Sequence, residues 1–227
     1  MLRGLLGVGG AVLAFTAWPT AKAAWQAQKA DAVVFEMRTG KVADPAAVQG
    51  GIEAFDRAVV ADPVAGRRLA RSELLAGAAL TPSLPVSSEQ RQAWLKQALA
   101  DLEFGLGDAP ARGVAWSRLA AVRQALDGPS FRAVAALMMS LDTAPMMSSL
   151  WPSRLRLFLD NWQYLAPQER DRVAANVATS WRVSRDRQWI AETIRSPIDE
   201  LFVRYFVRDV PGAQDQLTQM LAARRRQ

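Results

Sequence analysis

Apolar residues recur at steps of three and four along most of the chain. Trp94, Leu95, Ala98, Leu99 and Leu102 do so, as do Trp116, Leu119, Val122 and Leu126, and then Leu155, Phe158, Leu159, Trp162 and Leu165. One-sided stripes of this period mark amphipathic helices that bury one face against a neighbour. Beyond residue 20 no run alternates with the period of two that a half-buried strand requires. The punctuation between the stripes is helical as well. Asp44-Pro45 and Asp62-Pro63 each read as an N-cap followed by proline in the first turn, where its missing N–H costs nothing. Ser88 opens a run to about Phe104, with Gly105 and Gly107 as caps at its end. Asp108 to Pro110 open another, closed by Gly128. Pro129-Ser130 start the next, which stops near Asp142. Ser149 to Pro152 start one to about Leu165, Pro167 one to about Val183, Ser196-Pro197 one through Phe206, and Gln214 the last. The longest interruption, 81–87 with Pro82 and Pro85, is the candidate boundary or contact loop.

The predicted fold class is therefore all-α, built from antiparallel helix pairs. Its predicted organisation is an N-terminal segment 1–24, helices over 25–80, the loop 81–87, a paired-helix region 88–165 and a C-terminal helical region 166–227 with a basic tail.

The first segment differs from the rest. Met1-Leu2-Arg3 is followed by an uncharged run from Leu5 to Trp18, then Pro19 and the small residues around Lys22. Gly4 to Ala21 has about the length of a membrane-spanning helix, with Trp18 and Trp25 at the far interface. Ala21 and Ala23 equally fit a signal-peptidase site, with Pro19 as the helix breaker before it. The first reading predicts a single-pass inner-membrane protein with a periplasmic domain. The alternative is a soluble periplasmic protein after cleavage between Ala23 and Ala24.

Composition narrows the chemistry. The 227 residues include no His and no Cys. That removes imidazole-based nucleophile systems and imidazole-ligated metals, and with them disulfides, thiolate zinc sites and iron–sulfur clusters. Carboxylate pairs remain at Glu53/Asp56, Asp101/Glu103 and Asp199/Glu200, residue types that a glycan-cleaving enzyme could use. No phosphate-cradling glycine loop and no calcium loop is visible. No catalytic, cofactor or metal residues are expected. Lys+Arg number 28 against 22 Asp+Glu, and the excess is concentrated late, with 13 basic against 9 acidic residues over 151–227. No aromatic-interleaved nucleic-acid module accompanies that charge, so no nucleic-acid partner is expected. Arginine and aromatics do mix from Trp181 to Trp189 and again after Phe202. Trp181, Arg182, Arg185, Arg187, Trp189, Arg204 and Tyr205 are thus the candidate partner-contact residues. The alternative for the same residues is a set of amphipathic helices with arginines lying along their apolar flanks. Met138-Met139 and Met146-Met147 add adaptable side chains of the kind that suits partner surfaces.

Spacing within the helix pairs carries a resemblance. Gly51, Phe55, Ala58 and Pro63 are spaced as in the second helix of a tetratricopeptide unit. Pro110, Trp116, Leu119 and Ala120 follow the first-helix pattern, and Ala133, Leu137, Ser140 and Pro145 its partner. Pro145 is again followed six residues later by Trp151. The region 110–145 therefore resembles one repeat, and 45–63 half of another. The resemblance implies a short tetratricopeptide-like solenoid with a concave protein-binding surface. With the N-terminal segment, it implies a non-enzymatic adaptor or scaffold in a bacterial envelope assembly, of the kind serving polysaccharide or protein export. The expected partners are other envelope proteins, the membrane through residues 1–24, and further copies of the chain. The alternatives are a carboxylate-only glycan or peptidoglycan enzyme and a self-associating, anionic-lipid-binding structural protein.

Overall fold

The structure, a computed structural model, describes residues 2–41 and 44–226, with side chains from residue 15 onward. Among the described residues it contains eleven α-helices, two 3₁₀ turns and no strand. The all-helical expectation holds. The chain divides into two compact units, residues 1–110 and 111–227.

The first unit has four helices: α1 (Leu2–Arg38), α2 (Pro45–Ala61), α3 (Ala65–Leu80) and α4 (Ser88–Asp108). Helices α1 and α2 pack together, as do α3 and α4, with α2 against α3 joining the pairs. The seam between α1 and α2 is lined with small residues. Ala23, Ala27, Ala30, Val33 and Val34 face inward, and a Cβ added at Gly51 would lie 3.5 Å from the Ala30 backbone. On α3 and α4 the buried side chains are larger: Leu74, Leu75, Trp94, Leu95, Leu102 and Leu106. Each such side chain contributes roughly 1.5–3 kcal/mol by leaving water.

Helix α1 corrects an expectation. It runs through Pro19, its one internal proline, to Arg38, so Pro19 does not end a helix. A mid-helix proline forfeits one backbone hydrogen bond and costs about 3 kcal/mol, which burial of the Ala/Val face offsets. Ala23, expected at a cleavage site, is fully buried in mid-helix. Among the described residues no helix is long and apolar enough to cross a membrane. This overturns the single-pass inner-membrane location. The described part of α1 carries Lys22, Lys29, Asp31, Glu36 and Arg38 at short intervals, and such a run cannot lie in hydrocarbon. Residues 4–14, where most of the expected span falls, lie outside the described side chains.

Other local readings also shift. Asp44 caps α2 as expected, its Oδ2 accepting the Ala47 N–H at 3.1 Å. Asp62 caps nothing. It ends α2 and pairs with Arg67 Nε at 3.2 Å, while Val64 precedes α3 without a side-chain cap. The cap of α4 is Ser87, accepting from Gln90 N. Gly105 and Gly107 lie in the last turn of α4, and its C-cap is Ala109, whose N–H donates to the Gly105 carbonyl. Gly105 is there for space: a Cβ on it would come 2.5 Å from Leu69 Cγ and Cδ2. The 81–87 loop lies within the first unit, gripped by Arg91. Its guanidinium donates to the Ala79 and Thr81 carbonyls at 2.8 Å, and to those of Pro82 and Leu84.

The second unit holds α5 (Gly113–Asp127), α6 (Phe131–Thr143), α7 (Trp151–Asp160), α8 (Pro167–Val183), α9 (Gln188–Thr193), α10 (Pro197–Phe206) and α11 (Ala213–Arg224), with 3₁₀ turns at Ser148–Leu150 and Trp162–Tyr164. Helix α5 begins at Gly113, three to five residues later than Asp108–Pro110 predicts, with Arg112 before it and no side-chain cap. Gly128, at φ +76°, and the Ser130 cap reverse the chain between α5 and α6. The end of α6 returns to the start of α5, where Ser140 Oγ donates to the Gly113 carbonyl at 2.6 Å. Helix α7 packs on α5, α6, α8 and α9, α10 on α8, and α11 on α9. The predicted helix to Leu165 stops at Asp160. Buried Asn161 turns the chain there, accepting from Ser130 N at 2.9 Å and donating to the Leu157 carbonyl and to Gln124 Oε1.

Candidate functional site

The candidate site builds on α10 and its surroundings. Ser196 and Asp199 close a capping box at its start. Asp199 accepts from Arg195 N at 2.8 Å, Ser196 N at 3.1 Å and Arg156 Nη1 at 2.8 Å. Burial pushes its carboxyl up, but Arg156 and the two backbone N–H groups outweigh burial and hold it below the usual carboxylate range. Val203, Phe206 and Val207 face the core.

The other face of α10 is also apolar. Ile198, Leu201 and Tyr205 stand at steps of three and four, 63%, 66% and 39% exposed. The aromatic rings of the same helix cluster around Trp162. Trp162 lies 4.5 Å from Phe202 and 5.4 Å from Phe206, with Tyr205 edge-on at 6.4 Å. Arg208 covers Tyr205 at 4.1 Å and Arg170 covers Trp162 at 5.1 Å, contacts in which the ring face attracts the cation. Two clefts flank this helix. One, of about 350 Å³, has Ala174 and Ala178 among its walls, with Arg182, Phe206, Arg208 and Asp209. The other, of about 400 Å³, is lined by Arg195, Ser196, Glu200, Leu221, Arg224 and Arg225.

The seven predicted contact residues divide between surface and interior. Arg182, Arg185 and Tyr205 are exposed. Trp181 is 2% exposed, and its carbonyl accepts from Arg187 Nε at 2.8 Å. Trp189 packs at 6.0 Å from Trp151. Arg204 is held by Glu200 at 2.7 Å and by Thr218 at 3.0 Å. Three of the three-to-four-spaced apolar positions on α10 are thus at the surface, and two of them, Ile198 and Leu201, escaped the sequence reading. The signal was present: α10 is apolar on both sides, which a single buried face does not require. Of the methionines, Met138 is buried while Met139, Met146 and Met147 are partly exposed.

At least one member of each carboxylate pair is bound to an arginine: Asp56, Asp101, and both Asp199 and Glu200. Asp101, 1% exposed, takes both Nε and Nη2 of Arg71 at 2.7 Å, and Arg71 also reaches Asp56 at 2.7 Å. These bonds hold the Arg71 guanidinium above its ordinary pKa. Among the described residues no group of three acidic side chains is placed to hold a metal ion. Among the described residues no carboxylate bonds Arg154. It is 1% exposed and donates to Ser140 Oγ, the Ser140 carbonyl and the Ala144 carbonyl, covering the open end of α6. Burial pushes its guanidinium down to about 10.

No protein-family model, no curated protein and no solved structure matches this chain.

Proposed function

We propose that the chain is a non-enzymatic protein-binding module of the helical-repeat kind. Its second unit takes an amphipathic partner helix with acidic flanks on the outer face of α10. The observation that carries this reading is the line of Ile198, Leu201 and Tyr205, exposed on a helix whose aromatic rings cluster with Trp162. Large apolar side chains clustered in the open mark interaction surfaces, and rigid aromatic anchors beside arginine suit hot spots. The neighbouring Arg182, Arg195, Arg208 and Arg225 favour acidic groups at the rim of a partner. The hairpin of α5 and α6, with the Gly128 turn and the Ser140–Gly113 return, supports the tetratricopeptide-type reading of that segment.

A photo-crosslinking amino acid at Leu201, in the full chain inside its own cells, tests the proposal. The expected result is a cross-link to a different protein, through a helical segment bearing Asp or Glu, that disappears with Tyr205→Ala and Arg208→Glu. Leu201→Asp weakens affinity for that partner by about tenfold or more, as loss of a buried anchor at a cost above 1.4 kcal/mol does. A cross-link only to lipid, only to a second copy of the chain, or to nothing overturns it.

A further inference from the structure

The outer face of α1 carries a second feature, independent of α10. Phe15, Trp18, Lys22, Trp25 and Lys29 follow one another at steps of three, four, three and four, so they form one stripe along the helix. Phe15, Trp18 and Trp25 are 83%, 67% and 76% exposed, and both lysines are exposed as well. The stripe extends for about 21 Å at 1.5 Å per residue. It points away from the Ala/Val face that packs on α2. The sequence has no Asp or Glu before Asp31, so α1 itself supplies no acidic group to the stripe before that position. The bond from Arg67 Nη2 to the Thr20 carbonyl, at 3.0 Å, ties the same stretch of α1 to α3.

We propose that this stripe is a lipid-binding face, on which α1 lies flat along an anionic bilayer surface instead of crossing it. Tryptophan rings favour the boundary between headgroups and acyl chains. Lysine stems lie along apolar surface while their ammonium groups reach the phosphates. A helical protein partner is a poorer match. It would have to bury Lys22 and Lys29 in the middle of the seam, since both stand between or beside the aromatic positions. At a bilayer surface both stay in contact with water and phosphate.

The test uses the full chain with vesicles of phosphatidylcholine alone or mixed with phosphatidylglycerol. Expected are co-sedimentation with the mixed vesicles, loss of that binding as salt rises, and quenching of tryptophan emission by lipids brominated near the headgroup. Trp18→Phe/Trp25→Phe keeps the binding and loses most of the quenching. Lys22→Glu/Lys29→Glu weakens binding about tenfold or more, whereas Lys22→Arg/Lys29→Arg retains it. Circular dichroism confirms equal helicity in every variant compared. No binding to mixed vesicles, equal binding to both vesicle types, or quenching unchanged in Trp18→Phe/Trp25→Phe overturns the proposal. So does a dimer, seen without vesicles, that the Lys→Glu pair abolishes.

Discussion

Asp199 shows how much a single side chain carries in this protein. It caps α10 and receives Arg156, which also bonds Asp160 at 2.6 Å and the Thr193 carbonyl at 2.9 Å. Burial alone would drive the Arg156 guanidinium down, but Asp199 and Asp160 raise it. Because the folded-state value of Asp199 is depressed, the stability it contributes is complete above the unfolded carboxylate value of about 3.9 and is lost as pH falls through the folded one. Asp199→Asn therefore lowers the urea midpoint at pH 7. The gap between wild type and variant narrows as the pH drops below about 4, because the wild type then surrenders the same contribution. Urea titrations at several pH values measure that gap. A gap constant down to pH 3 contradicts the assignment. Arg154 is the opposite case, a buried cation bonded to the Ser140 hydroxyl and to carbonyl groups rather than to a carboxylate, and its charge is disfavoured where it sits.

At the scale of elements, close approach decides where helices meet. Gly105 lets α4 lie against Leu69 of α3. Gly105→Ala places a methyl carbon into Leu69 Cγ, an atom too near the backbone to swing aside. Overpacking of this kind costs about 1–3 kcal/mol. Thermal or urea unfolding should show that loss, and adding Leu69→Ala should recover part of it relative to the sum of the two single changes.

Helix starts were legible in the sequence where the cap is local. Asp44, Ser130 and Ser196 each bond an N–H three residues on, so the signal and the partner lie in one short stretch. Legibility failed where the partner is remote. Asn161 stops α7 because Ser130 and Gln124, more than thirty residues back, meet its side chain. Gly105 resembles a cap until Leu69 is known to face it. Helix α9 has six residues, too few for a periodic stripe. The candidate site was legible only as composition. The mixture of arginine and aromatics was visible, but burial took Trp181 inward, ion pairing engaged Arg204, and exposure fell to Ile198 and Leu201, whose apolar character suggested a core.

The whole molecule is two compact units that meet in sequence at Pro110 and Ala111. The connecting residues Pro110, Ala111 and Arg112 are exposed and non-helical. Exposed, non-helical connectors are preferred sites of nicking. Brief trypsin treatment of the native protein should cut after Arg112 early, leaving a major fragment that begins at Gly113, identified by its N-terminus and mass. If that bond survives while bonds inside α4 and α5 are cut, the division is wrong.

The division into two compact units also bears on how such a sequence can change over generations. A substitution that loosens the packing around Leu102 has to be compensated among the neighbours of Leu102, and one near Leu137 among a different set. Changes inside each compact unit are therefore answered mostly within that unit.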